Sequence, residues 1–166
     1  MLEPPDSYYL AAAIGWLELG NHVEAGEEIS RIAPEHWDDP DVLEARWQVC
    51  AAGRSWDAAL TAAERMVEVA PDRVSAWLHR AYALRRTTKG SLALAADALR
   101  PAYDKFPKSA LVPYNLACYD AQLGQLDSAW EWLKKAINRS ENIKTLKQMA
   151  LADDDLKPLH TRIAEL

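Results

Sequence analysis

Small residues return at a fixed interval along this chain, and that register constrains its fold more than any other feature. Ala25, Ala59, Ala95 and Ala129 are separated by 34, 36 and 34 residues. Four positions after each stands Ile29, Ala63, Leu99 or Leu133, and three further on Ile32, Met66, Ala102 or Ala136. A second series precedes the first: Tyr9, Leu43, Trp77 and Pro113, then Ala13, Trp47, Ala81 and Ala117, then Trp16, Cys50, Leu84 and Asp120. Steps of three and four place residues on one face of a helix. Each unit therefore reads as two amphipathic helices. The stretch Tyr114–Ile137 shows this most clearly. Leu116, Ala117 and Tyr119 lie before Gly124, and Leu126, Ala129, Trp130, Leu133 and Ala136 after it. Trp130 is expected to pack and Trp132 to face outward. Glycine suits a helix C-terminus because it takes the left-handed conformation without a clash. A hairpin of this size cannot bury its apolar face alone, so copies must stack beside it. A chain of 166 residues holds about four of them and is long enough to bury about 70% of its unfolded surface.

The punctuation fits the same units. Asp6 or Ser7 is placed to cap the first helix, with Tyr9, Ala12, Ala13, Trp16 and Leu19 as its core face. Gly20-Asn21 makes the turn, and Pro34 ends the second helix by Ala33. Trp37 is expected to fold back over helix ends. Pro40 fits a first helical turn, where its missing N–H costs nothing. Trp47 stands where a small residue is expected, so either its hairpin splays or Ala62 and Ala63 make room. Asp72 or Ser75 caps the fifth helix. The two extra residues of the 36-residue interval fall at Thr87–Gly90, and Pro101 should kink the sixth helix. Ile143, Leu146 and Ala150 share a face of a further helix. Asp153, Asp154 and Asp155 then open a last one carrying Leu156, Leu159, Ile163 and Leu166.

This period and pattern resemble the tetratricopeptide repeat (TPR), over residues 6 to about 142. Pro71 and Pro107 occupy its closing-proline position. The run ALADDDLKPL resembles the closing segment of many bacterial TPR proteins. The resemblance implies an all-α fold, an α-α superhelix of the right-handed TPR solenoid kind. It implies a single domain over 1–166, with repeats at about 6–39, 40–73, 74–109 and 110–143 and a C-terminal cap at 144–166.

Charge is unevenly distributed. Residues 1–75 carry 15 acids and 5 bases, residues 76–148 carry 6 acids and 12 bases, and the whole chain is −6. Overall acidity argues against general nucleic-acid binding, which depends on neutralising phosphates. No apolar run approaches the ~20 residues of a membrane span. The opening residues lack the basic region and apolar core of a signal peptide, so the cytoplasm is the expected location. Cys50 and Cys118 fall in helical apolar patterns and are expected as buried free thiols. The four histidines make no metal-ligand spacing.

No phosphate loop, nucleophile turn or HExxH pair is present, so no catalytic residue, cofactor or metal is expected. The three consecutive aspartates read as helix caps rather than as a metal site. The resemblance implies partner binding on the concave face, lined by the first helix of each hairpin. Leu10, Ile14 and Leu17, then Glu44 and Gln48, are expected there. The third and fourth units are expected to dominate, through His79, Tyr82, Arg85, Arg86, Tyr114, Asn115, Cys118 and Gln122. Aromatic residues and arginine are the usual interface anchors. The alternative is that the tyrosines only pack and the arginines are only solvated. The family's chaperone-binding carboxylate clamp is incomplete, because the first two units offer no lysine. The expected function is a non-enzymatic scaffold holding a protein or peptide partner, with an acidic partner favoured by Arg80, Arg85, Arg86, Lys89 and Arg100. Two alternatives remain: a self-assembling homo-oligomer, favoured by the charge asymmetry, and a secretion-type chaperone, which usually begins with a long helix that this chain lacks.

Overall fold

A computed structural model describes residues 2–165 as helices joined by short turns, with no strand among the described residues. Ten α-helices follow in order: α1 (Asp6–Glu18), α2 (His22–Ser30), α3 (Pro40–Ala52), α4 (Trp56–Val69), α5 (Val74–Leu84), α6 (Leu92–Lys105), α7 (Leu111–Gln122), α8 (Leu126–Arg139), α9 (Ile143–Ala152) and α10 (His160–Ala164). Short 3-10 helices cover Pro34–His36 and Asp154–Leu159. The chain forms two compact units, Met1–Lys89 and Gly90–Leu166. Their boundary falls in the turn expected to hold the two extra residues.

The turns are built from the residues the register singles out. In the α1–α2 and α7–α8 turns, Gly20 and Gly124 take φ of 76° and 77°. The next residue's N–H then reaches back to the helix, Asn21 to Trp16 at 2.9 Å and Gln125 to Asp120 at 2.8 Å. This glycine closure satisfies carbonyls that the helix end would leave orphaned. Asn21, Asp39, Ser91 and Asn142 cap the following helices through their side chains.

In the first unit the alanines of the register are fully buried. Ala13, Ala25, Ile29 and Ala45 form one cluster, with Leu10, Leu17 and Val49 packed against it. Leu43, Met66 and Ala76 form another, flanked by Val67, Val69 and Trp77. In the second unit Ala117, Ala129, Leu133 and Ala136 join Leu146, Ala150, Leu156, Leu159 and Ile163. Alanines at these positions allow close helix approach, so the larger residues interdigitate beside them.

Several expectations are corrected. On α1 the side facing the core carries Leu10, Ala13 and Leu17, while Trp16 and Leu19 are exposed. Leu10 and Leu17, expected on the concave lining, are half-buried and pack against this cluster. Asp6 does not cap α1. Its buried carboxylate accepts from the Ala33 backbone N–H at 3.3 Å and lies 3.7 Å from His36, tying the start of α1 to the end of α2. Ser75 does not cap α5; it donates to Glu44. Pro101 lies inside α6, which runs through it, as its expected place within that helix requires. Cys50 is only half-buried, and Ile143 is exposed. Trp132 does not face outward but packs edge-on against Tyr103, with centroids 5.0 Å apart. Trp37 does fold back, its indole N–H donating to the Ile32 carbonyl at 2.9 Å. Leu166 lies outside the described residues.

Candidate partner-binding faces

Two faces carry the residues singled out in the sequence, one in each unit. In the first unit, α3 presents Glu44, Trp47 and Gln48 at helical spacing, and α5 presents Ser75, His79 and Tyr82. Trp47, expected either to splay its hairpin or to be accommodated by Ala62 and Ala63, meets the rings of α5. It turns toward α5 and stacks on His79, with centroids 3.6 Å apart and planes 9° off parallel. Tyr82 meets Trp47 edge-on at 6.0 Å and Trp56 at 5.8 Å. Arg86, just beyond α5, lays its guanidinium over the Tyr82 ring at 3.5 Å and near Trp56 at 5.2 Å. Arginine over an aromatic face gains cation–π attraction and a fixed orientation. The Trp47 indole nitrogen is buried and has no hydrogen-bond partner among the described residues. The surrounding rings are what hold it.

A polar layer lies beside these rings. The Glu44 carboxylate accepts from Ser75 Oγ at 2.9 Å and pairs with His79 Nε2. Burial pushes the Glu44 carboxyl up, but the His79, Ser75 and Gln48 contacts outweigh it and hold the group below the usual glutamate range. Arg85 is half-buried, and its backbone N–H closes the end of α5 on the Ala81 carbonyl at 3.2 Å. Arg80 stacks on Trp77 at 4.8 Å. Tyr82 remains 37% exposed, so the ring cluster reaches the surface.

The second face is closed. Tyr114 and Cys118 are expected on a partner-facing surface, but both are buried. The segment after α9 crosses α7 and covers them. The Tyr114 hydroxyl donates to Asp153 Oδ2 at 2.9 Å, and Cys118 Sγ lies 3.6 Å from the same oxygen. Asp153 Oδ1 accepts from the Asp155 N–H, capping the 3-10 helix. Gln122 Nε2 donates to the Asp155 carbonyl at 3.0 Å. Burial, then Cys118 and Asp153, push the Tyr114 hydroxyl far above its ordinary range. Asn115 turns back on its own helix and donates to Leu111 O. The Cys118 sulfur and the Asp153 and Asp155 carboxylates lie within 4.8 Å of one another. The hydrogen bonds to Asp153 make this group a latch between α7 and the C-terminal segment.

The structure thus brings His79 and Tyr82 together with Arg86, and separately gathers Tyr114, Cys118 and Gln122 under the chain's own C-terminal segment. Sequence reading missed Trp47 and Trp56 as members of the first set, because it treated each tryptophan by its place within a single repeat. The signal was present: Trp47 and His79 are 32 residues apart, close to one repeat. Asp120, placed by the register alongside Trp16, Cys50 and Leu84, is fully buried, accepts from Ser128 Oγ and lies 3.6 Å from Arg100, partners that the register did not indicate.

No protein-family model and no curated protein matches the sequence. Solved structures do resemble it. A crystal structure of MamA superposes with a TM-score of 0.71 at 13% identity, over 81% of this chain and 78% of that one. MamA from Desulfovibrio magneticus RS-1, from residue 41 to its end, gives 0.72 at 22% identity, covering 100% and 97%. A thermophilic TPR protein from Thermus thermophilus gives 0.70 at 20% identity, covering 97% and 100%. The fold is of the TPR type. No helix among the described residues is long and apolar enough to cross a membrane.

Proposed function

We propose that this TPR-type chain is a non-catalytic interaction module that takes a segment of a protein partner on the α3/α5 face. The carrying observation is the ring cluster of Trp47, His79 and Tyr82, which reaches the surface beside Arg86, while the corresponding face of α7 is covered. Aromatic and arginine side chains held rigid in advance lose little entropy on binding, which makes them good anchors. The α7 residues Tyr114 and Cys118 serve the fold of the second unit. Affinity capture from native lysate, followed by titration of the purified partner, tests this reading. Tyr82→Ala should weaken the partner by tenfold or more, on the order of 1.4 kcal/mol. Tyr114→Phe, which removes only the latch hydroxyl, should leave affinity unchanged. Equal affinity of wild type and Tyr82→Ala would overturn the proposal.

One observation favours a second reading, assembly of copies of this chain. The 15 acids and 5 bases of residues 1–75 oppose the 6 acids and 12 bases of residues 76–148. The acidic portion also exposes Tyr8, Leu19 and Val23 on α1 and its flanks. Such complementarity favours head-to-tail contact. Sedimentation at low salt should then show larger species that dissociate as salt rises. A monomer at every concentration removes this reading.

A further inference from the structure

The second helix of the first hairpin is shorter than its counterparts. α2 holds 9 residues, whereas α4, α6 and α8 hold 14 each. Beyond α2 the chain turns into the loop that carries Trp37, whose ring is fixed by its hydrogen bond to Ile32. Between this ring, α2 and α3 lies a cavity of about 300 Å³, lined by Gly26, Ile29, Trp37, Arg46, Val49 and Cys50. Gly26 helps to keep the space open. One place after each register alanine stand Gly26, Leu60, Ala96 and Trp130. Glycine inside a helix costs stability compared with alanine. A Cβ at Gly26 would meet Val49 at an ordinary 3.5 Å, so packing does not demand glycine there.

Most polar groups around the cavity are already used. Ser30, which also lines it, donates its hydroxyl to the Glu27 carbonyl at 2.7 Å, and the Trp37 N–H is taken by Ile32. Burial outweighs the nearby Arg46 and pushes the Cys50 thiol up, so it is uncharged at neutral pH. Arg46 differs from these. It is half-buried, and its guanidinium lies 5.3 Å from the centre of the Trp37 ring. Among the described residues that guanidinium makes no hydrogen bond and no ion pair. Arg65, and more weakly Arg46, hold the Asp38 carboxyl below its usual range, but Arg65 takes both its oxygens, at 2.6 and 2.8 Å. The planar donors of Arg46 match a carboxylate.

We propose that the α2/α3 cavity binds a small organic acid, with its apolar body among Ile29, Trp37 and Val49 and its single carboxylate on Arg46. An apolar cavity of this volume with one placed polar group has the make-up of a small-ligand site. Arg46 also lines a neighbouring cleft with Asp38, Thr61 and Arg65. There Arg65 is held by Asp38 and Glu68, and Thr61 donates to the Asp57 carbonyl at 3.1 Å. That cleft has little left to hold a peptide backbone, which favours a ligand that ends at Arg46. By helical spacing Arg46, Val49 and Cys50 lie on the opposite side of α3 from Glu44, Trp47 and Gln48. The site is therefore independent of the α3/α5 face.

The test is a titration of the ¹⁵N-labelled chain with indole-3-acetate. Indole-3-acetamide lacks the charge, acetate lacks the apolar body, and N-acetyl-alanyl-tryptophan presents both groups on a chain end. Indole-3-acetate should shift the amides of Gly26, Ile29, Val49 and Cys50 and the Trp37 indole, saturably, and bind about tenfold more tightly than the amide or acetate. Arg46→Gln should weaken it about tenfold, by removing the charge-assisted contact, and leave the binding of indole-3-acetamide unchanged. Gly26→Leu, which brings in the residue of the next repeat, should block both ligands. Equal binding of acid and amide, unchanged affinity in Arg46→Gln, binding that survives Gly26→Leu, or shifts outside the cavity alone overturn the inference. Tighter binding of the acetylated dipeptide than of indole-3-acetate overturns the free acid as occupant.

Discussion

The α3/α5 face and the α7 face occupy corresponding places in the repeat, yet one is open and the other closed. On α3/α5 the polar groups pair across the helices, Glu44 with His79 and Ser75, and the rings of Trp47 and Tyr82 stay near the surface. On α7 the polar groups pair with the chain's own C-terminal segment through Asp153. The difference teaches that a repeat position sets where a residue sits, and the neighbouring segment sets whether it is available. Tyr82 and Tyr114 both look like anchors in the sequence. Only Tyr82 remains exposed enough to act as one.

Breaking the closed face should have the largest effect. Leu156 and Leu159 are buried in the second unit's core. Leu159→Ala should cost about 2–5 kcal/mol, measured by urea denaturation. A cost below about 1 kcal/mol would mean that the segment does not hold α7. Asp153→Ala removes one acceptor of the latch and should cost about 1–3 kcal/mol, because Tyr114 is left without its partner. The same variant should speed labelling of Cys118 by a thiol reagent. No change in labelling would show that the segment stays in place without its latch.

The open face should respond to pH instead. The Glu44 carboxyl lies below its ordinary value of 4.5 in the folded chain. It therefore contributes stability that is fully present above that value and is lost as pH falls through the folded one. Denaturation midpoints between neutral pH and pH about 3 should fall less in Glu44→Gln than in the wild type. At neutral pH the substitution should cost about 1–2 kcal/mol, from the charged hydrogen bonds it replaces. Parallel pH curves for the two proteins would show that Glu44 is not held by its partners. The smallest effect belongs to Arg65, whose contacts to Asp38 at 2.6 and 2.8 Å and to Glu68 are well formed but exposed. Arg65→Ala should leave the denaturation midpoint where it is, since solvent screens such pairs.

Much of the fold was legible. The alanine register at 25, 59, 95 and 129 located α2, α4, α6 and α8, because close-packed helices leave room only for small residues at their crossings. Gly20 and Gly124 marked turns because the left-handed conformation excludes most side chains. The candidate site was less legible. His79, Tyr82 and Arg86 were named, but Trp47 and Trp56 were not, since a ring's direction is chosen by its neighbours across helices. The choice of face on α1 was also misread. Leu10 and Leu17 compete with Trp16 and Leu19 on a helix that is apolar nearly all round, and periodicity alone cannot rank two apolar stripes.

By itself the sequence determined the all-α class, the repeat length, the turns and most of the buried alanines. These follow from local spacing and from the steric demands of small residues, which any chain with this pattern must meet. Tertiary structure decided which apolar stripe of α1 faces inward, that Trp47 stacks on His79, and that the C-terminal segment closes over Tyr114 and Cys118. Those outcomes depend on which distant surfaces meet. Contact between residues more than thirty positions apart is a property of packing, and no local pattern encodes it.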